Sequence, residues 1–117
     1  MAIYKNLPVY EESYQLLLQT VQLCSKMQRD YRYSLGEDIK RLLMSMLVTI
    51  YKATLERDKI PLLKVANEKM VEVKITLRVL NELRQIPDKQ FMLLTEHTTS
   101  ISRQLSSWEK YEKIHRI

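Results

Sequence analysis

Residues Leu42–Tyr51 read LLMSMLVTIY, a run interrupted only by Ser45 and Thr49 and free of charge, in a chain of 117 residues that is otherwise densely charged. The run is too short to span a bilayer, which takes about 20 apolar residues. It also lacks the polar face that an ordinary surface helix keeps. A helix with this composition needs cover on two sides. Its own bundle supplies one side, and another copy of the chain is the expected cover for the other.

Working outward, a chain of this length has room for one domain and one core. The single Gly36 and the three prolines, Pro8, Pro61 and Pro87, leave few turn formers, which argues against a β sandwich or barrel. Each proline stands near an expected helix start, where a missing N–H costs nothing. The reading is all-α. Cys24, alone, excludes an internal disulfide, and the N-terminal MAIYKNLP has no signal-like pattern, so the expected location is the cytoplasm. The net charge is +5 and uneven. Residues 1–58 carry eight Lys/Arg against seven Asp/Glu, a net of +1, while residues 59–117 carry eleven against seven, a net of +4. That excess is compatible with a polyanionic partner but does not by itself identify one.

Four helical segments follow from apolar spacing, at about 8–28, 35–57, 60–85 and 88–112. In the first, Tyr10, Tyr14, Leu17, Leu18, Val21 and Cys24 recur at helical steps, broadened by Leu16, Leu23 and Met27. RDYRY, Arg29 to Tyr33, is the connection. Ser34-Leu35-Gly36-Glu37 has the form of a capping box, which would start the second helix at Ser34. That helix carries a core stripe of Leu35, Ile39, Leu42, Leu43, Met46, Leu47, Ile50 and Thr54. A second stripe runs through Met44, Val48, Tyr51 and Leu55, and is either deep core or a subunit interface. The third segment places Leu62, Ala66, Met70, Val73, Leu77 and Leu80 on one face, with a smaller face of Ile75, Val79 and Leu83. Ile86-Pro87-Asp88 ends it, because the residue before proline is pushed out of the helical region. The fourth has the cleanest repeat, Phe91, Leu94, Thr98, Ile101, Leu105 and Trp108, against an otherwise polar surface. Four such helices with short loops predict an antiparallel up-down-up-down bundle as a single domain spanning residues 1–117.

No catalytic, metal or cofactor site emerges. His97 and His115 read as isolated, Cys24 lies on an apolar face, and no His, Cys or carboxylate group has metal-ligand spacing. Adjacent carboxylates such as Glu11-Glu12 diverge around a helix. The hydroxyl face Thr95, Thr99, Ser102 and Ser106 has no base within reach along the sequence. The chain is expected not to be an enzyme, with no membrane partner and no small-molecule substrate. Arg29, Tyr31, Arg32 and Tyr33 mix cations and aromatics as single-strand binders do, though tyrosines there more often close the end of a bundle. Arg57 and Lys59 read as loop charges, and Lys110, Lys113 and Arg116 as a basic C-terminal fringe. Gly36 is expected to permit close packing of a neighbouring backbone.

Taken in order, Leu7-Pro8-Val9-Tyr10, Tyr14, Leu16-Leu17-Leu18, then Tyr31-Arg32-Tyr33-Ser34-Leu35-Gly36, the helix ending Ile50-Tyr51-Lys52-Ala53, and Ile101, Leu105 and Trp108 resemble the Avd-like four-helix-bundle proteins. The resemblance covers about Tyr4 to Trp108. Avd proteins are the accessory variability determinants of diversity-generating retroelements. The resemblance implies a basic, ring-like homopentamer that binds RNA or DNA through phosphates and associates with the retroelement's reverse transcriptase during mutagenic copying. It favours the interface reading of Met44, Val48, Tyr51 and Leu55. It also places Lys74 and Arg78, within VKITLRVL, at the family's basic pair on helix three, with Lys64 on the same flank. Otherwise these cations read as a solvated face paired with Glu68 or Glu72. The alternative is a stand-alone oligomeric scaffold like the related bundles encoded by intervening sequences in ribosomal RNA genes, with no retroelement role.

Overall fold

The apolar periodicities become four long helices in the computed structural model, which describes residues 7–116. They are α1 (Leu7–Cys24), α2 (Leu35–Leu55), α3 (Ile60–Glu82) and α4 (Asp88–Ile114), with a single helical turn, Arg29–Arg32, between α1 and α2. No strand occurs among the described residues. Each helix packs on two neighbours, α1 and α3 each lying between α2 and α4. Short connections make successive helices antiparallel. Lys64, early in α3, accordingly reaches Glu109, late in α4, at 3.7 Å. The bundle measures 50 × 22 × 20 Å. The reading of MAIYKNLP bears mostly on residues 1–6, outside the described ones.

The core is largely the expected one. Ile39, Leu43, Met46, Leu47, Ile50, Ala66, Met70, Val73, Leu77, Leu80, Leu94, Ile101, Leu105 and Trp108 are buried. Leu63 is buried where Leu62 was expected, and Leu62 packs at its edge.

Helix α1 differs most from expectation. Its buried face is Val9, Ser13, Leu16, Leu17, Thr20 and Cys24, while Tyr14, Leu18 and Val21 point outward. Spacing of the bulkier side chains along the chain points to the other face. Two small hydroxyl residues instead sit at core positions, and neither Ser13 Oγ nor Thr20 Oγ1 has a hydrogen-bond partner among the described residues.

The boundaries shift at three connections. Helix α1 ends at Cys24, and the chain then buries Met27 beneath the turn Arg29–Arg32. The capping box does not form. Ser34 donates its hydroxyl back to the Asp30 carbonyl at 2.7 Å, and Glu37 takes the Lys40 ammonium at 2.6 Å. The reason is local: Ser34, at φ −123° and ψ −92°, lacks the extended conformation of a capping residue, and Lys40 stands one helical turn from Glu37. Gly36 packs closely, as expected. A Cβ there would lie 3.1 Å from the Tyr31 carbonyl oxygen and 3.5 Å from Met27 Sδ.

Helix α3 ends at Glu82 in a Schellman turn. Arg84 has φ 64°, its N–H donates to the Asn81 carbonyl at 3.0 Å, and the Gln85 N–H donates to Leu80 at 2.8 Å. Ile86 then plugs the core, and Pro87 precedes the first residue of α4. Gln85 Oε1 accepts the Gln28 N–H at 2.8 Å, tying the α1–α2 and α3–α4 connections together at one end of the bundle.

Candidate functional site

The second stripe of α2 is not deep core. Met44, Val48, Tyr51 and Leu55 are 51%, 43%, 45% and 69% exposed in the single chain. The stripe faces the side on which α1 lies, because the Tyr51 ring sits 6.4 Å, centroid to centroid, from that of Tyr10. Stepping along α1 from Tyr10 reaches Tyr14, Leu18 and Val21, all exposed. The two helices run antiparallel, so these side chains line one apolar face with the α2 stripe. Fully burying one such side chain is worth roughly 1.5–3 kcal/mol, and contiguous apolar patches of this kind mark interaction surfaces.

Lys64, Lys74 and Arg78 are all exposed on α3, but they are not equivalent. The Arg78 guanidinium holds Glu82 at 3.0 Å, rather than Glu68 or Glu72. Lys64 shares Glu109 with Lys113. Among the described residues Lys74 makes no ion pair, so it offers its full charge to solvent or to a partner.

Other charged residues singled out from sequence have structural duties. Lys59 Nζ donates to the carbonyls of Ala53 and Glu56 at 3.0 and 2.6 Å, capping the C-terminus of α2. Arg32 donates to the Met27 carbonyl at 3.2 Å and lies 5.7 Å from the centre of the Tyr33 ring. Arg116 pairs with Asp58 across the far end of the bundle.

His97, isolated along the sequence, has a partner in space. Glu12 of α1 receives Ser100 at 2.6 Å and Gln104 at 2.8 Å, and sits 2.9 Å from His97 Nδ1. Burial pushes this carboxyl upward, but the bonds from Ser100, His97 and Gln104 and the His97 charge outweigh it, so its pKa is lowered. Ser100 donates to the carboxylate and in turn accepts from Gln104 Nε2 at 3.1 Å. The cluster fastens α1 to α4. It escaped the sequence reading because its members are 85 to 92 positions apart.

Cys24 is buried, burial raises its pKa, and its thiol lies 3.7 Å from the Gly36 carbonyl oxygen. No group of His, Cys, Asp and Glu suited to holding a metal ion occurs among the described residues. None of the helices there is long and apolar enough to cross a membrane.

A four-helix bundle with an open apolar face along α1 and α2 thus defines the class of protein. Residues 5–107 match the model of the 23S rRNA-intervening sequence protein family, and the chain belongs to that family. A similar solved structure is that of a protein of unknown function from the S23 ribosomal protein family of Bacteroides thetaiotaomicron VPI-5482. It superposes with a TM-score of 0.82 at 22% identity, covering 91% of this chain and 98% of that one, a likeness of fold. No curated protein matches the chain.

Proposed function

We propose that this chain is a non-catalytic, self-associating four-helix scaffold of the rRNA intervening-sequence type. The observation that carries the reading is the α1–α2 face, whose apolar side chains lie open in the single chain. A face of this kind left in water is an aggregation liability. A second copy of the chain removes it, and the resemblance noted above implies five copies in a ring. Sedimentation tests the proposal: the expected result is an assembly at micromolar concentration, and a stable monomer overturns it.

A second reading is favoured by Lys74, exposed and with no ion-pair partner among the described residues, on a chain of net charge +5. In it the assembly repeats Lys74, with Arg78 and Lys64 nearby, into a basic belt that binds RNA or DNA through phosphates. Such binding releases counterions and weakens steeply with salt. The retroelement accessory role is the specific form of this reading, with the reverse transcriptase as protein partner in the cytoplasm. Co-purification with a transcriptase encoded beside the gene supports it, and absence of both the neighbour and the nucleic-acid binding counts against it.

A further inference from the structure

The seam between α1 and α4 is polar where the α1–α2 face is apolar. Beyond the Glu12 cluster, toward the end of the bundle that holds the α1–α2 and α3–α4 connections, it opens into a cleft of about 220 Å³. That is below the roughly 300–1,000 Å³ of sites for drug-sized ligands and leaves room for a single ring system. Leu23, Leu93 and Leu94 give the cleft its apolar surface, and Gln19, Gln22, Gln90 and Lys26 its polar groups. Gln85 and Gln104 use their amides inside the fold, on Gln28 and Leu83 and on Glu12 and Ser100. The side-chain amides of Gln19, Gln22 and Gln90 make no hydrogen bond among the described residues. Each therefore presents donors and an acceptor to whatever enters.

The same end gathers cations. Lys26 lines the cleft, Lys89 precedes Gln90 in the first turn of α4, and the bond from the Gln28 N–H to Gln85 holds together the two connections that carry Arg29 and Arg84. All four cations are exposed, and none makes an ion pair among the described residues. The carboxylates at this end are mostly engaged: Glu37 with Lys40, Asp38 with Arg41, Glu82 with Arg78, and Asp88 with the Asn81 amide at 2.9 Å. Asp30 alone has no such partner among the described residues, and Glu96, further along α4, does not line the cleft.

We propose that the cleft takes one unpaired base of a single-stranded nucleic acid, with the glutamine amides on the edge of the base and the four cations on the flanking phosphates. This rests on the second reading above, that the chain binds nucleic acid, and adds a base-reading site apart from Lys74 on α3. A duplex keeps its bases paired and stacked, whereas an unpaired base can be splayed out, held against apolar side chains and hydrogen-bonded along its edge. Amide side chains suit such edges because they offer a donor and an acceptor side by side. An acidic peptide would answer the cations but bring no ring to fill the cleft.

The test measures, by fluorescence anisotropy, how the full chain binds a short fluorescein-labelled single-stranded RNA of mixed sequence and the duplex of the same sequence. The variants are Gln22→Ala with Gln90→Ala, Lys26→Gln with Lys89→Gln, and Lys74→Glu. None of these side chains is buried, so each variant is expected to keep its helical circular dichroism and the light scattering of the unaltered chain. The glutamine variant should bind the single strand about tenfold more weakly, for the hydrogen bonds lost at two amides, and bind the duplex as the unaltered chain does. The lysine variant should weaken both, with the salt slope on the single strand falling by about 1.4, the share of two phosphate contacts. If the unaltered chain binds neither RNA, this inference and the nucleic-acid reading beneath it are both overturned. If only Lys74→Glu weakens binding, the nucleic-acid reading stands and the base site is overturned. A glutamine variant that keeps its hold on the single strand, or loses the duplex equally, overturns the base site too. So does a polyglutamate peptide of matched charge that binds as tightly as the single strand.

Discussion

Glu12 and Ser100 stand 88 positions apart in the chain and 2.6 Å apart in the bundle, the hydroxyl of α4 donating to the carboxylate of α1. With His97 and Gln104 on the same carboxylate, the two helices are joined by a polar clasp beside the apolar core. Removing the acceptor strands three polar groups at once. Glu12→Ala is expected to cost about 1–3 kcal/mol, the penalty for leaving partly buried partners unpaired, measured by urea unfolding with the slope unchanged.

The same carboxylate sets a pH dependence. Its pKa is lowered in the folded chain, so the stabilisation is fully present above the ordinary carboxylate range and is lost as pH falls through the folded value. Glu37 and Glu109, lowered by Lys40 and by Lys113 with Lys64, act in the same direction. Thermal midpoints followed from neutral to acid pH should therefore fall less steeply in Glu12→Gln than in the unaltered chain. Parallel curves would remove Glu12 from the acid response.

Arg84 occupies the left-handed position of the turn after α3, with φ 64°. A non-glycine residue there carries roughly 1–2 kcal/mol of steric cost, and glycine is the usual occupant of this position. Arg84→Gly should raise stability by about 1 kcal/mol once the greater freedom of glycine in the unfolded chain is subtracted. Unchanged or lower stability would mean that the arginine side chain makes a compensating contact.

Gly36 faces the Tyr31 carbonyl oxygen and Met27 where a Cβ would stand. Gly36→Val should destabilise by about 1–3 kcal/mol through overpacking, because the nearest atom belongs to backbone and has little room to yield. Calorimetry of this variant, with retained helical circular dichroism, separates a packing cost from loss of the fold.

For nucleic-acid binding, the ion pair between Arg78 and Glu82 makes the basic pair unequal. Lys74→Glu should weaken retention of single-stranded RNA in a gel shift more than Arg78→Glu does, and the double variant most, without altering the unfolding midpoint greatly. Equal effects, or none from the double variant, would remove this surface from the reading.

How much of this was legible along the chain follows from the distance over which each feature is encoded. The repeat Leu94, Thr98, Ile101, Leu105 and Trp108 announced a helix and its buried face at once, since a 3.6-residue period is a local property. Pro61 and Pro87 marked helix starts for the same reason. The face of α1 was misread because Ser13 and Thr20 are small and polar, and only the surrounding helices reveal that they are enclosed. Thr20→Val, which removes a buried hydroxyl lacking a partner among the described residues, should for that reason stabilise the bundle by about 1 kcal/mol; a lower melting temperature would reveal an unseen partner for the hydroxyl.

The sequence by itself determined the helical class, the number of long helices and most of the core. Helical periodicity, proline placement and the uncharged run from Leu42 to Tyr51 are all written in neighbouring residues. Tertiary structure decided which stripe of that run meets the core and which stays open, because exposure depends on where α1 comes to rest beside α2. It also decided that Glu12 meets Ser100 and His97, that Lys59 caps α2, and that Arg78 holds Glu82 while Lys74 makes no ion pair among the described residues. Those outcomes depend on side-chain geometry and on distances through space, and the order of residues along the chain does not carry them.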